Sequence, residues 1–116
     1  MENLQDFILL FRMTQTDNIP SPTELANMEK QWTSYIGTIA ANARLVATHR
    51  LGYEGGYIEN NGEVKSTIYS ANNEIISGHM IIKAVDLNEA NDIAKKCPIL
   101  NIGGTVEVRT TIPMNA

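Results

Sequence analysis

Asp86-Leu87-Asn88-Glu89-Ala90-Asn91-Asp92-Ile93-Ala94-Lys95-Lys96-Cys97-Pro98 and the following Gly103-Gly104-Thr105-Val106-Glu107-Val108-Arg109 decide the fold. Asp86 and Glu89 stand three apart, a variant of the capping box that supplies acceptors to the free N–H groups of a helix start. Leu87, Ala90, Ile93 and Ala94 then recur at helical spacing and form one apolar stripe. Pro98 and the glycine pair end the helix and turn the chain. In the last piece Val106 and Val108 alternate with Glu107 and Arg109, the two-residue period of a strand with one buried face. The stretch predicts helix, turn and strand.

The strand before it is equally clear. From Gly78 to Ala84, Met80, Ile82 and Ala84 face one way and His79, Ile81 and Lys83 the other. Near the start of the chain, Phe7-Ile8-Leu9-Leu10-Phe11 predicts a buried first strand, and the polar stretch from Thr14 to Pro20, with Asp17 and Asn18, predicts a loop. Ser21-Pro22-Thr23-Glu24 places an N-cap hydroxyl, a proline at the first helical position and a glutamate three residues after the cap. Leu25, Met28, Trp32, Tyr35, Ile36 and Ile39 continue this start as one stripe, which predicts a helix over 22–42. Leu45-Val46-Ala47-Thr48 reads as a second strand. Tyr57-Ile58-Glu59 and Val64 to Ile68 read as a hairpin turned at Asn60-Asn61-Gly62.

Strand, helix, strand, hairpin insertion, strand, helix, strand is an α+β order. It matches the ferredoxin-like split βαβ arrangement, one antiparallel sheet with two helices on one face. The other face of such a sheet needs a cover, and a homodimer supplies it. The length of 116 residues suits one domain, 1–116.

Composition narrows the functions. The chain is 43% hydrophobic and 19% charged, ordinary for a globular domain, and has no apolar run long enough to span a membrane. The net charge of -4 disfavours nucleic acid, whose binders cluster lysine and arginine. Met1 to Asp6 carries acids where an export leader carries basic residues, and the single cysteine fits a reducing compartment, so the expected location is the cytoplasm. The two histidines stand thirty apart without a metal-binding spacing, which predicts no metal site. Gly55-Gly56 lacks the following Lys-Ser or Lys-Thr of a phosphate loop, so no nucleotide cofactor is expected.

Leu9-Leu10-Phe11-Arg12, Ser21-Pro22-Thr23-Glu24, Trp32, Leu51-Gly52-Tyr53-Glu54-Gly55, Ala94 to Leu100 and Gly103 to Arg109, in this order and spacing, resemble the YCII-related family in its DGPF-domain branch. The resemblance covers nearly the whole chain. It implies a dimeric α/β barrel of ferredoxin-like subunits, each with a cleft between the sheet and its flanking loops. It also implies a His and Asp pair in that cleft for some members, and one relative resembles a dehydrochlorinase of a chlorinated hydroxyquinol. In this chain Glu24 and Cys97 stand at the positions of that pair, and Ser66-Thr67-Ile68-Tyr69 replaces the Asp-Gly-Pro-Phe turn. The family's chemistry therefore does not carry over by residue.

Candidate site residues come from the side chains themselves. His49, beside Arg50 before a glycine-rich loop, suits a general base or, with Arg50, an anion contact; its plainer reading is an exposed loop histidine. His79 lies on a strand with Ile81 and Lys83 and suits a cleft or an interface. Glu24 suits acid–base work, although its cap position explains it. Arg12 suits a carboxylate or phosphate, or an ion pair with Glu24, Glu54 or Glu107. Cys97 sits between the charges of Lys95 and Lys96, which favour a thiolate, and a helix C-terminus, which opposes it. Three functions follow in order: a dimeric small-molecule-binding protein, a metal-independent lyase or isomerase-type enzyme with a histidine base, and a regulatory or interaction module.

Overall fold

Ser21 and Asp86 start the two helices as their spacing predicts. In the computed structural model, which describes residues 3–15 and 20–114, the Ser21 hydroxyl accepts from the Glu24 N–H at 3.2 Å, and Asp86 Oδ1 accepts from the Glu89 N–H at 2.9 Å. Glu89 also takes the Val85 N–H at 3.1 Å, one residue outside the cap. Helix α1 runs Pro22–Ala41 and α2 runs Leu87–Ala94. Asp17 and Asn18 of the expected loop lie outside the described residues.

The strands are β1 (Gln5–Thr14), β2 (Leu45–Arg50), β3 (Tyr57–Ile58), β4 (Val64–Lys65), β5 (Glu74–Ala84) and β6 (Thr105–Thr110). Four of them form an antiparallel sheet in the order β2-β5-β1-β6, and β3 pairs with β4 apart from it. With the hairpin removed, this is the ferredoxin-like order that the alternation of strands and helices predicts.

Several boundaries differ from the reading of the sequence: β1 is longer at both ends and β2 continues to Arg50, and three further differences have a local reason. β5 begins at Glu74 rather than Gly78, because Asn72 and Asn73 take positive φ of 53° and 62° and turn the chain tightly into the strand. The β4 ladder stops at Lys65 because the Thr67 N–H turns back to the Lys65 carbonyl at 2.9 Å. Pro98 opens a short 3₁₀ turn, Pro98–Ile102, that ends at Gly103 with φ 85°, a left-handed conformation that glycine adopts without penalty.

Phe7, Leu9 and Phe11 of β1 and Met80, Ile82 and Ala84 of β5 point to one face, where they pack with Tyr35 and Ile39 of α1 and Ala90 and Ala94 of α2. Both helices therefore cover that face. Trp32 meets Phe11 edge-on at 5.3 Å and Tyr35 at 6.0 Å, and the Tyr35 hydroxyl donates to the Ile93 carbonyl at 2.9 Å, tying α1 to α2.

Among the described residues no helix covers the opposite face. The described chain is flat, 47 × 46 × 19 Å, and its radius of gyration of 16.0 Å exceeds the roughly 13 Å of a compact chain of this length. The β3–β4 arm contributes to this spread, with Tyr53, Ile58, Val64 and Tyr69 each more than half exposed and Tyr57 stacked on Tyr69 at 5.1 Å. No helix among the described residues is long and apolar enough to cross a membrane.

Candidate functional site

The uncovered sheet face carries the chemistry. Strand pairing sets its side chains in rows: Ala47, Ile81, Ile8 and Arg109 in one, and His49, His79, Leu10 and Glu107 in the next. His49 and His79 are direct partners across β2 and β5, with His49 Nδ1 3.0 Å from His79 Nε2 and the rings stacked at 5.1 Å between centroids.

A bulge brings them together. Leu45 pairs with Ile82 but Ala47 with Ile81, so Val46 is an extra residue in β2. Without the bulge, with Val46 itself paired to Ile81, His49 would stand opposite Gly78 on the helical face. With it, His49 shares the open face with His79. Gly78 permits the approach of the strands, since a Cβ there would stand 2.9 Å from the His49 carbonyl oxygen.

In a neutral pair one imidazole donates and the other accepts. His49 is exposed and His79 half-buried, and His79 Nδ1 is buried without a hydrogen-bond partner. Leu10, Ile8 and Ile81 around the pair are half-buried. The site is thus an apolar wall with a few polar groups set into it.

The other candidates divide between the two faces. Arg12 pairs with Glu107 at 2.7 Å, the partner it takes among the three that the sequence left open, and Arg109 joins Glu107 at 3.3 Å. The Arg12 hydrogen bond, with Arg109 in support, holds the Glu107 carboxyl below the usual carboxylate range. This contribution to stability is present above that range and is lost as the pH falls through the lowered value. Arg50 follows His49 on β2 and alternates to the other side of the strand. Glu24 lies exposed in the first turn of α1, in the helical layer across the sheet from the imidazoles. His49 and His79 come together, Arg12 joins their face one row away, and Arg50 and Glu24 do not join them.

Cys97 is buried and takes no part in the face. Burial pushes its thiol up to about 11, against a backbone hydrogen bond at Ile99, so the charges of Lys95 and Lys96 do not produce a thiolate. Burial, and secondarily the neighbouring Cys97, likewise raise the Tyr35 hydroxyl well above the ordinary tyrosine range. Both groups hold their protons more tightly in the folded chain. Their stabilisation is complete below the unfolded values and is lost as the pH rises through the folded ones. The melting temperature is therefore expected to fall as the pH rises from about 9 to about 11, and Cys97→Ala to flatten the first part of the fall. A scanning-calorimetry series that stays level over this range would contradict the assignment.

Two grooves lie away from the histidines. One of about 600 Å³ runs between α1 and α2 beside Tyr35, Arg44, Glu89 and Lys96; the other, of about 520 Å³, lies between α2 and β6 beside Leu100, Val106 and Val108. Arg44 and Glu89, both lining the first, form an ion pair at 3.3 Å.

The model of the YCII-related domain matches residues 8–115. No curated protein matches the chain. Among solved structures, a hydantoinase/carbamoylase family amidase from Burkholderia ambifaria is similar over 96% of this chain and 28% of its own length, at 13% identity and a TM-score of 0.38. The chain spans little more than a quarter of that amidase, and a likeness this low carries no argument about activity.

Proposed function

The chain belongs to the YCII-related domain family, and from that premise we propose that it is a homodimeric binding protein for a small organic molecule, in the DGPF-domain branch and in the cytoplasm. The observation that carries the reading is the contact of His49 with His79 on an otherwise apolar, uncovered sheet face. Small-molecule sites are mostly apolar surfaces with a few convergent polar groups, and this face has that composition. In the proposed dimer two such faces oppose each other, Ile8, Ile81 and Leu10 form the contact, and the imidazoles line the space between them. Arg12, already neutralised by Glu107, orients the ligand only by exchanging that partner.

The test is a thermal-shift screen of small aromatic and carboxylated compounds against the full chain with a chelator present, repeated on His49→Ala and His79→Ala. A compound that raises the melting temperature of the parent, with the shift lost in both variants, supports the reading. A shift that persists in both variants places the ligand elsewhere and sinks it.

A second reading has one observation in its favour. The 3.0 Å contact leaves one imidazole as a proton acceptor beside an apolar wall, the arrangement of a histidine base in a metal-independent lyase or isomerase. Turnover lost in both histidine variants with the fold intact separates it from simple binding.

A further inference from the structure

Strand pairing gives the two histidines a proximity that their thirty-residue separation denies them. We propose that His49 Nδ1 and His79 Nε2 together hold one divalent late first-row transition-metal cation, copper(II) or nickel(II) in preference to zinc. Imidazole nitrogen is a good donor to all three, so geometry and the general affinity order decide among them.

The geometry is specific. At a metal–nitrogen distance of about 2.0–2.1 Å, two nitrogens 3.0 Å apart subtend roughly 90–100° at the cation. That is the angle between neighbouring positions of a square-planar or octahedral site. A tetrahedral angle, as zinc prefers, needs the nitrogens about 3.3 Å apart. The general order of affinity, with copper above nickel and zinc, runs the same way for copper.

The scaffold supports the bite. β5 is an inner strand of the sheet and β2 is held to it by five register pairs on either side of the bulge, so the imidazoles are anchored on adjacent paired strands. His49 is exposed, which leaves the cation an entry path. Glu107, in the same row, is separated from His79 by Leu10 and is engaged by Arg12 and Arg109. No group of three or more His, Cys, Asp and Glu side chains among the described residues is arranged for a metal, so this is a two-ligand site whose remaining positions face water or an anionic group.

One feature limits the affinity. A ligating histidine normally passes its second N–H to an acceptor, and His79 Nδ1 is buried with none. Loss of such a partner weakens binding by about 10–100-fold, so the site is weaker than a structural site whose ligands keep their outer partners. The inference shares its face with the small-molecule reading and does not rest on it.

The experiment titrates the metal-free full chain with copper(II), nickel(II) and zinc chlorides by calorimetry and records the electron paramagnetic resonance spectrum at one equivalent of copper. The expected result is one cation per chain, nitrogen couplings from two imidazoles, and zinc bound most weakly. His49→Gln, at an exposed position that does not threaten folding, is expected to weaken copper binding by about tenfold or more and to leave one imidazole coupling. His79→Gln, checked by circular dichroism, should do the same. Unchanged affinity in His49→Gln, or no copper binding by the parent, overturns the proposal. The ligand screen contains a chelator and the titration contains no organic ligand, so failure of one reading is visible apart from failure of the other.

Discussion

If the proposed dimer forms through the uncovered sheet face, the parent is expected to run as a dimer by light scattering and an Ile81→Asp chain as a monomer at the same concentration. Ile81 sits in the middle of the uncovered face, beside Ile8 and Ala47 in its row, and is half-buried within a single chain. Stable interfaces remove about 800 Å² from each partner, and an unpaired carboxylate at the centre of such a patch costs several kcal/mol, enough to dissociate it. The substitution lies away from the helical core, so the monomer should keep the parent's circular dichroism. It should also lose whatever ligand the screen identifies, since the proposed seat is built from two faces. A dimer that survives Ile81→Asp would move the interface elsewhere, with the exposed arm that carries Tyr53, Ile58, Val64 and Tyr69 as the next surface to test.

Phe7→Ala is expected to be the most damaging single substitution for folding. Phe7 is 1% exposed and lies in β1, paired with Ile82 on one side and Thr110 on the other, within the core that the helices close. Truncating a buried phenylalanine to alanine typically costs about 3–5 kcal/mol, from lost transfer energy and the cavity left behind. Domains have total stabilities of about 5–15 kcal/mol, so the variant approaches the threshold of folding. Urea titration measures it: a midpoint that moves by less than the equivalent of about 1 kcal/mol would mean that the core collapses around the gap. Leu25→Ala, at a position 51% exposed on α1 and outside the buried core, is the control and should lose much less.

Most of the architecture was legible because each element carried its own local signal. Ser21-Pro22 and Asp86 marked helix starts, and the stripes from Met28 to Ile39 and from Ala90 to Ala94 set their buried sides, while Leu25 and Leu87 at the head of each stripe are exposed. The alternation from Gly78 to Ala84 placed His79 on the face opposite Met80 and Ile82, as the structure has it. The site was less legible for a reason that can be named. His49 reads as a loop residue because the strand-like run Leu45-Val46-Ala47-Thr48 stops before it, whereas the strand continues to Arg50. Its meeting with His79 depends on the phase of pairing, which Val46 shifts by one residue. Nothing in Leu45-Val46-Ala47-Thr48 announces a bulge. Phase is a property of two strands together, and periodicity along one strand is blind to it. The choice of Glu107 as the partner of Arg12 is of the same kind, because Arg12 and Glu107 are diagonal neighbours only once β1 and β6 are in register.

The extra residue in β2 has an evolutionary corollary. A histidine pair is ordinarily gained or lost by changing a histidine codon, and a comparison of aligned sequences would look for that change. Here the loss of the single codon for Thr48, with the bulge kept, would leave both histidines while setting His49 opposite Met80 on the helical side of the sheet, whereas loss of Val46 would remove the bulge and keep the pair. Among relatives of this chain, an insertion or deletion in that strand is as informative about the site as a substitution in it, and chains with both imidazoles need not share the pair.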